Sequence, residues 1–272
     1  MTDHTADHRT ADRVTDHTAD TVDRPGDPAA GATRADLRME NVTAGYFDHD
    51  VVLDGVSLHA RAGRVTAVLG PNGSGKSTSL RVLYGFVRPR SGRVLLGGRD
   101  ITDLPVGSRL AAGMAFLPQG RSTLPRLTVE ENIRLGAWLA RRDRARMRAA
   151  VEAMFERYPS LKPLRRKAAG SLSGGQARLL EFARTLVLDP AVLLIDEPSV
   201  GLAPVLVDEV YEEIARLKSE GRTILLVDQN VQAAVDLADH VYTLAYGRNH
   251  LDGARDQFTD RLDDLIREWL QL

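Results

Sequence analysis

The sequence predicts an α/β protein with a mostly parallel core sheet, an N-terminal antiparallel β subdomain and an inserted α-helical subdomain. Three observations predict it. From Gly174 onward, helical stretches alternate with short apolar runs: AVLLI, TILLV and VYTLA. Runs this short and this apolar read as strands covered on both faces, with helices as the crossovers. Before them, residues 129–157 are helical in pattern and dense in Arg. Near the start, LRMENVTAGY and VVLDGVSLHA alternate like two paired strands.

The elements follow in order. Residues 1–35 are polar and repetitive, with DHTAD at 3–7 and again at 16–20. Such a segment cannot bury enough apolar surface to offset its ordering entropy, so it reads as a disordered tail. Its His4, His8 and His17 are irregularly spaced, and a solvated tail is favoured over a metal site. RVTAVLG reads as a buried strand, followed by a helix from Gly75 to about Tyr84. RVLLGG is a short hairpin-like strand, and AFLP another strand. LPVGSRLAA and SLKPLRRKAAG flank the helical insertion (about 120–172) as loops or short turns. Thr128-Val-Glu-Glu131 is a capping box at a helix start. FTDRLDDLIREWLQL closes the chain as an amphipathic helix, with Phe258, Leu262, Leu265 and Leu270 on one side.

Composition bounds the function. The chain has 272 residues, 43% of them hydrophobic, so residues 36–272 can form one sizeable domain. The net charge of −1 gives no argument for a nucleic-acid partner. With no Cys, disulfides, thiol catalysis and Cys-based zinc sites are excluded. No apolar run is long enough to span a bilayer and no secretory signal core opens the chain, so a soluble, cytoplasmic location is expected. Only four residues are Lys: Lys76, Lys162, Lys167 and Lys218.

Four motifs carry chemistry. GPNGSGKST (Gly70, Pro71, Asn72, Gly73, Ser74, Gly75, Lys76, Ser77, Thr78) follows a strand and opens a helix. Its glycines let successive backbone N–H groups point inward as an anion nest. Lys76 adds a positive charge for outer phosphates, and Ser77 offers a hydroxyl to Mg²⁺. In AVLLIDEP (191–198) an apolar strand delivers Asp196 and Glu197 at its carboxyl end, where ligands of open α/β sheets sit. Asp196 suits the surroundings of Mg²⁺, and Glu197 suits polarising a water; an acidic turn closed by Pro198 is the bland alternative. LSGGQ leads a helix, and Ser173 with Gln176 makes a capping box. Two glycines, Gly174 and Gly175, in its first turn cost helix stability, yet leave bare N–H groups that suit a phosphate. LLVDQN (225–230) ends a strand in Asp228, Gln229 and Asn230; a helix cap is the simplest account.

These motifs, in this order, resemble the nucleotide-binding subunits of ABC transporters, with the likeness covering about residues 37–252. The resemblance implies a P-loop NTPase fold, ATP and Mg²⁺ as cofactors, and ATP hydrolysis as the reaction. It implies that Tyr46 stacks on adenine; on the residues alone, a core or edge-strand Tyr competes. It implies that Gln119 senses Mg²⁺ and the attacking water, where a turn Gln after Pro118 is the alternative. It implies that Ser173, Gly174, Gly175 and Gln176 contact the ATP of a second subunit in a head-to-tail dimer. Where most of the family has a His, this chain has Gln229, which resembles the second ATPase subunit of branched-chain amino acid importers. A Gln can donate to a phosphate oxygen but cannot become cationic. The expectation is that Gln229 positions the γ-phosphate while Glu197 alone handles water. Ala203 stands where many relatives carry Asp, as it does in the same subgroup, which predicts weaker or rewired communication between the two sites. PQGR around Gln119 is instead similar to urea and short-amide importers. The implied partners are a second ATPase subunit, two integral-membrane permeases and a solute-binding protein, at the cytoplasmic face of the membrane. The resemblance also implies that the helical arm takes a permease helix in a groove that Trp138 and Met147 are candidates to line. A non-transport ABC ATPase and a regulatory module with a dead site are the competing readings. The first usually carries paired ATPase domains or long coiled coils, and intact Lys76, Ser77, Asp196 and Glu197 argue against the second.

Overall fold

A computed structural model describes residues 35–259. The predicted tail (except Ala35) and most of the predicted last helix therefore lie outside the described residues. The elements run β1 (Leu37–Ala44), β2 (Leu53–Ala60), β3 (Val65–Leu69), α1 (Lys76–Tyr84), β4 (Ser91–Leu96), β5 (Arg99–Asp100), α2 (Val106–Ala111) and β6 (Met114–Leu117). Then come α3 (Val129–Gly136), α4 (Arg144–Arg157), α5 (Gly174–Leu186), β7 (Val192–Asp196), α6 (Pro204–Ser219), β8 (Thr223–Val227), α7 (Val231–Leu237), β9 (His240–Ala245), β10 (Arg248–Ala254) and α8 (Asp256–Thr259).

Two sheets form. The smaller is antiparallel in the order β2-β1-β4-β5, and the larger runs β10-β9-β3-β8-β7-β6. Strands β9, β3, β8, β7 and β6 are mutually parallel, and only β10 is antiparallel to its neighbour. The central strands β3, β7 and β8 are buried at every position because both faces are covered, and apolar but for Thr66, Thr223 and Asp196. Val65, Ala67 and Leu69 of β3 pack with α5, α6 and α7, while Val68 packs with α1 and the small sheet. Helix α1 lies between the two sheets, with Leu80, Val82 and Leu83 buried. All parallel strands therefore end, at their carboxyl termini, on one edge, and that edge carries the site.

The structure departs from the sequence reading in three places. The helix expected over 129–157 is broken: α3 stops at Gly136, a 3-10 turn spans Trp138–Ala140, and Asp143 caps α4 by accepting from Arg146 N at 2.9 Å. Gly136 packs so tightly on α5 that a Cβ there would sit 2.1 Å from Arg184 O. The stretch read as a loop, LPVGSRLAA, contains α2. Its Arg109 is 1% exposed and donates to the carbonyls of Leu104 (2.8 Å), Thr102 (2.8 Å), Val82 (3.1 Å) and Leu83 (2.6 Å). The last two close α1, where a cation complements the helix dipole. Finally, β10 forms a hairpin with β9 through Tyr246 and Gly247, both at positive φ (50° and 75°) as a tight two-residue turn requires.

Candidate nucleotide site

The phosphate loop grows from the end of β3. Gly70 (φ 147°) could not carry a Cβ, which would lie 2.2 Å from Leu244 O. Gly75 (φ 101°) caps α1 without any side-chain cap, so the first N–H groups of that helix face the loop. Gly73 has open space around it, and Asn72 is exposed. Ser74 Oγ is buried with no partner among the described residues. A glycine cradle, an uncapped helix start and an orphaned hydroxyl together fit a polyphosphate.

Lys76 is 5% exposed and folds back over the loop, donating to Gly70 O (2.7 Å) and Pro71 O (2.9 Å). Burial lowers its pKa, against the opposing charges of Glu197 and Asp196. Ser77 Oγ donates to Asp196 Oδ1 at 2.8 Å, joining the helix start to the end of β7. Burial raises the Asp196 pKa, with the Ser77 bond opposing. Ser77, Asp196 and Gln119 offer oxygen donors of the kind Mg²⁺ takes. Among the described residues no group of three or more His, Cys, Asp or Glu could hold a metal. The set therefore fits a magnesium ion shared with substrate phosphates rather than caged by protein.

Glu197 follows β7 at φ 43°, in the left-handed region that a non-glycine residue rarely adopts. Its N–H donates to Val227 O at 2.7 Å, which fixes this twist against β8. Two amides meet its carboxylate: Gln119 Nε2 and Gln229 Nε2 both donate to Oε2, the latter at 2.9 Å. Gln229 thus touches the expected base directly, so Glu197 does not stand apart from it. The strand-end cap is also present, since Asn230 accepts from Ala233 N at 3.3 Å and so opens α7.

Tyr46 is 46% exposed beside the same helix start. Its hydroxyl lies 3.2 Å from Thr78 Oγ1 and accepts from Arg81 Nη1 at 2.8 Å. It is therefore neither a core residue nor part of β1. Ser173, Gly174, Gly175 and Gln176 form a separate cluster at the start of α5. Ser173 accepts from Gln176 N (3.3 Å), and Gln176 accepts from Ser173 N (3.1 Å). Gly175 also has a packing reason, because a Cβ there would lie 2.6 Å from Leu206. Gly174 has more room, its nearest contact being 3.5 Å, so packing alone does not account for it.

Sequence reasoning missed Asp228 as more than a cap. It is 1% exposed and accepts from Tyr211 and Ser199 as well as from the backbone. An acid directly after five buried strand residues was the available signal. On the arm, α3 and α4 enclose a groove of about 860 Å³ lined by Leu135, Trp138, Met147 and several arginines. Trp138 is 57% exposed there, not part of the core.

A family model described as "ABC transporter" matches residues 53–200. The chain belongs to the ABC transporter family. It is 36% identical over 225 residues to the probable branched-chain amino acid transport ATP-binding protein LivF of Archaeoglobus fulgidus, covering 82% of this chain and 94% of that protein. It is 36% identical to the high-affinity branched-chain amino acid transport ATP-binding protein BraG of Pseudomonas aeruginosa (75% and 86% covered). It is 33% identical to the lipopolysaccharide export system ATP-binding protein LptB of Haemophilus influenzae (81% and 91%). Among solved structures, an ATP-binding cassette of an ABC transporter in its ADP conformation matches with a TM-score of 0.76 and 30% identity, covering 88% of this chain and 98% of that one. This ABC ATPase is thus the ATP-binding and ATP-hydrolysing subunit of a transporter, a kind of subunit that works with membrane permeases. Among its described residues no helix is long and apolar enough to cross a membrane.

Proposed function

We propose that this subunit energises an importer of branched-chain or other hydrophobic amino acids. The observation that carries the reading is Gln229 at the end of β8, bonded to Glu197 and set in the LVDQN and SVGLAP context of that subgroup. The names of the Archaeoglobus and Pseudomonas relatives support it. On this reading residues 36–272 are one ATPase domain, with the arm at about 120–172. PQGR at Gln119 favours urea or short amides as a second reading, and the Haemophilus relative adds export as an outcome to be tested.

In the mechanism, the N–H groups of Gly70–Thr78 hold the ATP phosphates and Tyr46 stacks on the adenine. Lys76 leaves the Gly70 and Pro71 carbonyls to meet the outer phosphates. Ser77, Asp196 and Gln119 would hold Mg²⁺, which would supply charge neutralisation to the phosphates. Glu197 orients the attacking water for in-line displacement, with Gln119 and Gln229 fixing its carboxylate. Lys76, Gln119 and Gln229 stabilise the charge that develops. Ser173, Gly174, Gly175 and Gln176 serve the ATP of a second ATPase subunit, so each site is completed in trans. The groove at Trp138 receives a cytoplasmic helix of a permease, which places the subunit at the cytoplasmic face of the membrane. Two permeases and a solute-binding protein complete the set. No nucleic acid takes part.

Affinity capture of the tagged chain from gently solubilised native membranes, with mass spectrometry, tests this. Two polytopic permeases and a second ATPase are expected, and titrating the associated solute-binding protein with leucine, isoleucine, valine and urea then decides the solute. Recovery of ribosomal proteins, or of this chain alone in the soluble fraction, would overturn the importer.

A further inference from the structure

We propose that Asp228 is a positioning residue: it ties Gln229 to the loop after β7, so that the Gln229 amide follows the movement of that loop. The inference rests on the role proposed above for Gln229. Asp228 is 1% exposed. Its Oδ2 accepts from Tyr211 Oη at 2.8 Å. Its Oδ1 accepts from Asn230 N at 3.0 Å and from Ser199 Oγ at 3.2 Å. Among the described residues no Lys, Arg or His forms a salt bridge with Asp228, so a carboxylate is buried here on hydroxyls and backbone alone. Capping does not require that, because Asn230 already caps α7. What a carboxylate adds is two acceptor oxygens facing two ways, one toward α6 and one toward the loop and its own backbone. An Asn has a single acceptor oxygen and would leave one side facing an N–H.

The connectivity gives the arrangement its consequence. Ser199 follows Glu197 by two residues, and Asp228 precedes Gln229 by one. Ser199 bonds Asp228, and Gln229 bonds Glu197 at 2.9 Å. The two bonds close a ring of residues 197–199 and 228–229, with Glu197 N on Val227 O as a third tie. The backbone segments that carry Glu197 and Gln229 are therefore tied on both sides, by Glu197 N on Val227 O and by Ser199 on Asp228, and shift together while those bonds hold. Beyond Ser199 the chain turns outward, with Val200 38% and Val205 73% exposed. A second subunit pressing on this apolar edge would move Ser199, and through Asp228 it would move Gln229. This is a route between subunits that does not need an acid at Ala203.

Steady-state ATP hydrolysis by the full-length chain tests the proposal with Gln229→Ala, Asp228→Asn, Tyr211→Phe and the Gln229→Ala/Asp228→Asn double variant. Asp228→Asn is expected to lower kcat about tenfold, less than the roughly 10²–10³-fold that follows loss of a direct transition-state donor. KM for ATP should stay unchanged. Tyr211→Phe should act in the same direction and more weakly, which keeps the test available if Asp228→Asn does not fold. The double variant should be no slower than Gln229→Ala alone, since Asp228 acts through Gln229. Multiplying losses in the double variant, or wild-type kcat in Asp228→Asn with Gln229→Ala impaired, would overturn this proposal and leave the Gln229 role intact. Wild-type kcat in Gln229→Ala would overturn both.

Discussion

Charge is buried in two parts of this molecule, and the two parts treat it differently. Where the arm meets α6, every buried charge has an opposite charge. Glu213 receives Arg157 at 3.0 Å, Arg216 at 2.6 Å and the Tyr158 hydroxyl at 2.6 Å, while Arg157 also reaches Glu220 at 2.7 Å. At the ends of β3, β7 and β8 the buried charges bond neutral groups instead. Lys76 donates to carbonyls, Asp196 accepts from a serine, Glu197 from amides and Asp228 from hydroxyls. Burial pushes the Asp196 and Asp228 carboxyls up and the Lys76 amine down, each toward its neutral form. The lesson is one of readiness. The arm network is complete in itself and fixes geometry. On the proposed mechanism Lys76, Asp196 and Glu197 are completed by a polyanion and its cation, whereas Asp228 is already satisfied by its neutral partners.

Breaking the paired region should cost the most. Glu213→Ala leaves the buried Tyr158 hydroxyl without its acceptor and Arg157 with Glu220 alone, which costs roughly 1–3 kcal/mol. Urea unfolding should show that loss, while ATP turnover per folded molecule holds. A loss under about 1 kcal/mol would mean the network is surface decoration. Next is the cradle. Gly75→Ala forces a Cβ to within 2.6 Å of Leu53 at φ 101°, at about 1–3 kcal/mol, and should weaken binding of a fluorescent ATP analogue.

A pH series sharpens the contrast at Asp196. Its carboxyl is raised above the ordinary 3.8 by burial, so the folded state holds that proton more tightly than the unfolded chain does. Stability from this group is present at low pH and is lost as pH rises from 3.8 through the raised value. Asp196→Asn keeps an acceptor for Ser77 and removes the titration. Its Tm should match wild type near pH 4 and exceed it near pH 8, measured without nucleotide. A gap that shrinks with rising pH would contradict the unmatched-charge account. The smallest effect belongs to an exposed pair. Arg88 and Asp103 meet at 2.6 Å but are 80% and 72% exposed, so Arg88→Ala should shift stability by no more than about 0.5 kcal/mol.

Local chemistry was legible in the sequence, and long-range chemistry was not. The glycines at 70–75, the strand that delivers Asp196 and Glu197, and the Ser173 capping box each depend on neighbours a few residues away. Spacing alone therefore exposed them. The broken arm helix was harder, because what requires a glycine at its end, Gly136, is the backbone of Arg184, distant in sequence. Arg109 carries no signal of its own, since nothing near it in sequence shows that it will close α1. Likewise Ser122 gave no sign that its N–H would meet Glu181 and its carbonyl and hydroxyl Arg184 (both 2.6 Å), tying the Gln119 loop to α5. The polar end of LLVDQN was visible, but its partners Ser199 and Tyr211 come from another element. For Gln229 the sequence pointed to a phosphate, whereas the fold brings it to Glu197 as well.

The most direct measurement is ATP hydrolysis and ATP binding by Glu197→Gln beside wild type. Gln retains an oxygen acceptor in the same volume but cannot polarise water as a carboxylate does. Turnover should fall by about 10²–10³-fold while ATP affinity stays within about twofold. Turnover near the wild-type rate would contradict the account, because the water would then be handled by a group outside the Glu197, Gln119 and Gln229 cluster.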